Sequence, residues 1–167
     1  LSLTRTVIYD IMHSMNHAVE SDFDRVYEIF KLHREWFPHV RTDKLKRQIE
    51  RKQLIIENDV VITYKYYKVK TKIGKEVQAL PNDCILHQIV AKKPGTASAV
   101  LQKFFKYTKR KVFLSVRRDN NIASKFYLKN DMRLVGEHNW AKNGVKDALP
   151  GDVYLYDKNV EITMETK

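Results

Sequence analysis

Apolar residues recur at two spacings along this chain, and the spacing changes from segment to segment. Thr4 to Tyr9 is β-branched and aromatic, which predicts a first strand. Residues 10 to 20 hold His13 and His17 without a clear period and are expected to form a loop or a poor helix. Ser21 precedes Asp24 at capping-box spacing, and Phe23, Val26, Tyr27 and Phe30 follow at three-and-four spacing, so an amphipathic helix is expected that ends before Pro38. Asp43 to Lys52 has a thin stripe, Leu45 and Ile49, and predicts a short, mostly exposed helix. Gln53 to Glu57 and Val60 to Lys70 are strand-like runs around Asn58-Asp59, the pattern of an antiparallel hairpin. In the second run Tyr64, Tyr66, Lys68, Lys70 and Lys72 are expected on one face. A turn is expected at Lys72 to Lys75, followed by loop or edge strand to Asn82.

Cys84 to Ala91 is apolar at most positions, as a central strand is. Beyond Pro94-Gly95-Thr96 the residues Ala97, Val100, Leu101, Phe104, Phe105 and Thr108 mark one face of a helix. Val112 to Val116 is the next strand, and Asn120 is placed to cap a helix that runs through Lys129. Arg133 to Trp140 and Val153 to Tyr156 close the chain as strands around a turn-rich segment with Asn143-Gly144 and Pro150-Gly151. The order is strand, two helices, three strands, helix, strand, helix, two strands. Residues 1–167 are expected to form a single domain.

Composition narrows the setting. With 167 residues and 43% apolar content the chain can bury a core without disulfides, and no run approaches the length of a membrane span. One cysteine, Cys84, excludes a disulfide framework and a cysteine-based zinc cluster. The opening Leu-Ser-Leu-Thr-Arg-Thr lacks the features of a secretory signal, so a cytoplasmic, reducing location is expected. The 31 Lys and Arg outweigh 20 Asp and Glu, a net charge of +11. Nine of the basic residues lie between Cys84 and Arg118 without one acid. Lys65 to Lys75 interleaves five lysines with tyrosines, and Arg41 to Lys52 carries six basic residues against two acidic ones. Such stretches meet a phosphorylated cofactor or a nucleic acid, or serve as solvated faces for solubility.

Two segments carry recognisable chemistry. Val90-Ala91-Lys92-Lys93-Pro94-Gly95-Thr96-Ala97-Ser98 leads from a strand through a glycine turn into a helix, where amide hydrogens and the helix dipole favour an anion. Asn120, Ala123 and Tyr127 then follow in a strand, turn and capped helix. Together these resemble the GNAT superfamily of acyl-coenzyme A-dependent N-acyltransferases. Gly95-Thr96-Ala97 is similar to the latter part of that family's cofactor motif, and Lys92 stands where Gln or Arg is usual. Asn120, Ala123 and Tyr127 match its second signature. Asn130-Asp131-Met132 stands where many members have Lys-Leu-Gly-Phe, with Asn130 expected to take the left-handed, helix-ending conformation.

The resemblance implies an α/β fold whose mixed, mostly antiparallel sheet of about seven strands is flanked by about four helices. It implies acetyl-coenzyme A as the acyl donor, held by Ile89, Val90, Ala91, Lys92, Lys93, Gly95, Thr96, Ala97 and Ser98, with Asn120 and Ala123 shaping the second segment. An amine attacks the thioester directly, an N–H near Ile89 to Ala91 stabilises the oxyanion, and Tyr127 protonates the thiolate. Packed in a core, Tyr127 has a structural role instead. His87 has the ordinary affinity of a base but shares an alternating face with Ile85 and Ile89, so it reads equally as a core histidine. Glu57 and Asp83 are weaker base candidates, and a lone cysteine such as Cys84 is usually inert. The histidines at 13, 17, 33, 39, 87 and 138 form no metal motif, so no metal is expected. The acceptor and oligomeric state are not encoded legibly. The basic stretches outside the cofactor block keep two alternatives open: an acceptor carried on a nucleic acid, and a binding module for nucleic acid without catalysis.

Overall fold

A tight turn with two left-handed residues sets the first hairpin. Asn58 and Asp59 have φ of 50° and 56°, as a two-residue primed turn requires. They join β1 (Leu54–Glu57) to β2 (Val60–Tyr66) in antiparallel register, Leu54 opposite Thr63 and Glu57 opposite Val60. This computed structural model describes Thr4, Arg5 and residues 14–158. All but the first two residues of the strand expected over Thr4–Tyr9 lie outside that range, as does His13.

Two helices precede the hairpin, α1 (Phe23–Lys31) and α2 (Thr42–Glu50). After it come β3 (Thr71–Ile73), β4 (Val77–Ala79), β5 (Cys84–Ala91), α3 (Ala97–Thr108), β6 (Val112–Arg117) and α4 (Asn121–Lys129). The last elements are β7 (Arg133–Glu137), β8 (Trp140–Lys142), β9 (Val145–Leu149) and β10 (Gly151–Tyr156). Six strands hydrogen-bond in the order β1-β2-β5-β6-β10-β7, with β3-β4 and β8-β9 as separate hairpins. The β5–β6 pairing is parallel, Cys84 opposite Val112 and Ile85 opposite Phe113, whereas β10 is antiparallel to both β6 and β7. Among the described residues no helix is long and apolar enough to cross a membrane.

The chain divides into two units, Leu1–Thr63 with Gln88–Thr108, and Tyr64–His87 with Lys109–Lys167. In the first, α1 and α2 bury Val26, Ile29, Phe30, Leu45 and Ile49 against Leu54, Ile56, Val61 and Val90. The helix α3 buries Val100, Leu101, Phe104 and Phe105, each side chain contributing about 1.5–3 kcal/mol when removed from water. In the second, Ile73, Ala79, Ile85, Phe113, Val153 and Leu155 form the core, and β10 is buried along its whole length.

Four local expectations are corrected. The reach-back contact belongs to a short 3-10 turn, Glu20–Asp22, just before α1: the Asp22 carboxylate accepts the Val19 N–H at 2.9 Å, two residues earlier than the Ser21–Asp24 spacing suggested. The strand expected to run to Lys70 ends at Tyr66, because Tyr67 gives its N–H to the Asp83 carbonyl and accepts from Asn82 N–H. Tyr64 and Tyr66 share a face of β2, with their rings 5.7 Å apart, but Lys68, Lys70 and Lys72 lie beyond the strand and do not continue that face. The turn-rich segment after Trp140 is the β8–β9 hairpin, turned at Asn143-Gly144. The left-handed residue that ends α4 is Asp131, φ 67°, while Asn130 is buried and gives its amide to the Phe126 carbonyl at 2.8 Å.

Candidate functional site

In the first unit, β5 leaves its last residues, Ile89 and Ala91 half-buried and Val90 buried, and turns into α3. The peptide joining Ala91 to Lys92 is held on both sides. The Ala91 carbonyl accepts from His33 Nε2 at 2.8 Å, and Lys92 N–H donates to the Asp59 carbonyl at 2.9 Å. A carbonyl only accepts, so this contact fixes the proton of His33 on Nε2. Lys92, Lys93, Pro94 and Gly95 are exposed. Thr96 closes the turn by donating its hydroxyl to the Lys93 carbonyl at 2.9 Å, and Ala97 and Ser98 begin the helix.

Gly95 has φ of +83°, and a Cβ built there meets nothing within 4 Å. The backbone at that point is bare on its open side. The first-turn N–H groups of any helix have no acceptor inside the helix, and its dipole places positive potential among them. Lys92 and Lys93 add formal charge beside a turn that can receive an anionic group at close range.

Not all of the nine basic residues from this region serve such a purpose. Lys103 pairs with Glu57 at 2.9 Å, Arg117 pairs with Asp119, and Arg118 pairs with Asp152 and Glu137. Glu57 also accepts from Asn16 N–H at 3.3 Å, so this weaker base candidate is committed to structure. Asp83 likewise accepts the Leu80 N–H at 2.9 Å and closes a turn.

The second unit holds the other segment. Asn120 caps α4 through Oδ1, which accepts Ala123 N–H at 3.2 Å, as its position in the sequence anticipates. Tyr127 lies two turns further on, 8% exposed, with its ring 6.1 Å from Tyr154 and 5.5 Å from Phe126. No group among the described residues hydrogen-bonds its hydroxyl, and burial pushes the phenol well above its ordinary value, so it stays protonated at neutral pH. His87 is exposed rather than a core histidine. Cys84 is buried, and desolvation, with the Asp83 carboxylate adding to it, raises its thiol far out of the reactive range. Among the described residues no group of three or more His, Cys, Asp or Glu is placed to hold a metal ion.

Sequence reasoning missed His33. Its signal was absent because a lone histidine after a helix carries no pattern; only the fold brings it to Ala91.

No protein-family model and no curated protein sequence matches this chain. Its likeness to known proteins is in three dimensions. NAA60 from Arabidopsis thaliana, in complex with acetyl-CoA, superposes with a TM-score of 0.63 at 17% identity, covering 87% of this chain and 98% of that one. A GNAT-family acetyltransferase from Bacillus cereus gives 0.61 at 17% identity over 87% and 96% of the two chains. A ribosomal-protein-alanine N-acetyltransferase from Brucella melitensis gives 0.63 at 11% identity over 85% and 98%. The chain has the GNAT acetyltransferase fold.

Proposed function

We propose that this protein is an N-acetyltransferase that moves an acetyl group from acetyl-coenzyme A to a primary amine, with residues 1–167 acting as one catalytic domain. The observation that carries the reading is the strand-to-helix turn at Lys92–Ser98, where Gly95 leaves the backbone open in front of a helix N-terminus. The fold and the Asn120–Tyr127 segment support it.

Acetyl-coenzyme A supplies the thioester. The amides around Thr96, Ala97 and Ser98 hold its diphosphate, Gly95 permits the close approach, and Lys92 and Lys93 neutralise the charge. The backbone of Ile89, Val90 and Ala91 aligns the pantetheine arm and offers an N–H to the carbonyl oxygen. Asn120 fixes the start of α4 through Ala123, which sets the position of Tyr127. His87, on the exposed side of β5, takes the proton that the ammonium acceptor must lose before its nitrogen can attack. As the C–N bond forms and the C–S bond breaks, the Tyr127 hydroxyl gives its proton to the departing sulfur, and the second proton lost by the acceptor nitrogen restores the phenol. A protonated phenol whose hydroxyl no described residue binds is placed to supply that proton.

Calorimetry with acetyl-coenzyme A tests the reading. The native protein should bind it, and Gly95→Leu should abolish binding while the fold survives by circular dichroism. Absence of binding by the native protein, or full binding by Gly95→Leu, would remove the proposal. Release of free thiol in the presence of a panel of amines then reports the acceptor.

A further inference from the structure

The cofactor turn leaves most of the basic surface unexplained. Residues 64–75 contain five lysines and no acid. Lys65, Lys68, Lys70 and Lys72 are all exposed. Among the described residues only Lys75 of this group meets a carboxylate, Glu137 at 3.7 Å.

Backbone hydrogen bonds gather a second basic segment to the same place. Tyr67 is tied to Asp83 and Asn82, and Cys84 N–H donates to the Lys111 carbonyl at 2.8 Å. The connection after β2 and the segment Lys109-Arg110-Lys111 therefore meet where β5 and β6 begin, within the second unit. Lys109 and Arg110 are exposed there. Asp83, the acid at this junction, accepts the Leu80 N–H and closes the turn there, and Glu76 follows Lys75 at the far end of the lysine run.

Aromatic side chains interleave with these lysines along the chain. Tyr66 is 40% exposed, and its ring is braced edge-on by buried Tyr64, 5.7 Å away at 87°. Lys65 Nζ sits 5.9 Å from the centre of the Tyr67 ring. Crowded like charges repel one another and are stabilised by a polyanion, which releases its counterions on binding. A braced ring offers a stacking face with little ordering cost, and every base has a matching face. Stacking inside a duplex hides those faces; single strands present them.

We propose that the connection after β2, with Lys65, Lys68, Lys70, Lys72 and Tyr66, binds single-stranded nucleic acid together with the neighbouring segment Lys109–Lys111. It is separate from the proposed acetyl transfer and stands or falls without it.

Fluorescence anisotropy with labelled 20-nucleotide oligo-uridine and oligo-thymidine, across a salt series, tests it. The native protein should bind single strands more tightly than a duplex of equal length. Replacing Lys65, Lys68, Lys70 and Lys72 with Gln should reduce the slope of log affinity against log salt by about 3. Tyr66→Ser should weaken single-strand binding by about tenfold with the slope unchanged. Lys92→Gln with Lys93→Gln should spare the oligonucleotide while weakening acetyl-coenzyme A, and the four-lysine variant should do the reverse. Those substitutions are on exposed side chains, so no variant should melt below the native protein. The proposal is overturned if the four-lysine variant binds oligonucleotide as the native protein does, or if the duplex binds as tightly as the single strand. It is equally overturned if phosphatidylserine vesicles capture the protein through these lysines while oligonucleotides do not.

Discussion

Tyr127 and His17 show how burial biases a protonation state. Burial keeps the Tyr127 phenol neutral across the neutral range, as the proposed proton transfer to a leaving thiolate requires. Tyr127→Phe should therefore lower kcat by roughly a hundredfold, with the KM for acetyl-coenzyme A nearly unchanged; steady-state kinetics separates the two. His17 is shifted the other way. Desolvation lowers its pKa below 6.5, partly offset by a hydrogen bond to the Met15 backbone and reinforced by the Lys52 charge. The unfolded chain then takes up the proton more readily than the folded one. The stability owed to neutral His17 is complete above pH 6.5 and is lost as pH falls through the depressed value. Urea midpoints measured from pH 7.5 to pH 5 should decline, and His17→Phe, which keeps a ring beside Tyr107 5.7 Å away, should decline less.

Two glycines make opposite demands on their elements. Gly74 turns the β3–β4 hairpin with φ of +70°, and a Cβ there would run into the backbone carbonyl of Glu137. Gly74→Ala should cost about 2–5 kcal/mol, from the left-handed conformation and from backbone that cannot move aside. Gly95→Ala meets no neighbour and should cost only about 1–2 kcal/mol in stability; urea unfolding of the pair measures the difference. The elements most legible in the sequence were those whose period and packing agree. The stripe from Ala97 to Thr108 gave α3 with its bounds, and its apolar members from Val100 to Phe105 are buried as expected. Asn58-Asp59 gave the first hairpin without a glycine, and Asn120 gave its cap. The short strands were harder. β3, β4, β8 and β9 span three to five residues, too few to show alternation, and Lys68 to Lys70 look extended by composition while the bonds of Tyr67 end the strand. Of the candidate site, the turn at Gly95 was legible because glycine, lysines and helix start are local. His33 was not, since 58 residues separate it from Ala91.

Charge acts on the molecule as a whole. A net +11 distributed over 167 residues opposes compaction by self-repulsion, and the ion pairs of Lys103, Arg117 and Arg118 relieve only part of it. Raising sodium chloride from about 10 mM to about 150 mM shortens the screening length from roughly 30 Å to 8 Å, so the thermal midpoint should rise; a fall would show that attractive pairs dominate. The doubly tied peptide between Ala91 and Lys92 has an effect on another timescale. In heavy water the Lys92 amide, although its side chain is exposed, should keep its hydrogen far longer than those of Lys93 and Gly95, and His33→Ala should hasten its loss. The strand's exit is thus set before any ligand arrives, and capture there begins from a prepared surface rather than a search among shapes.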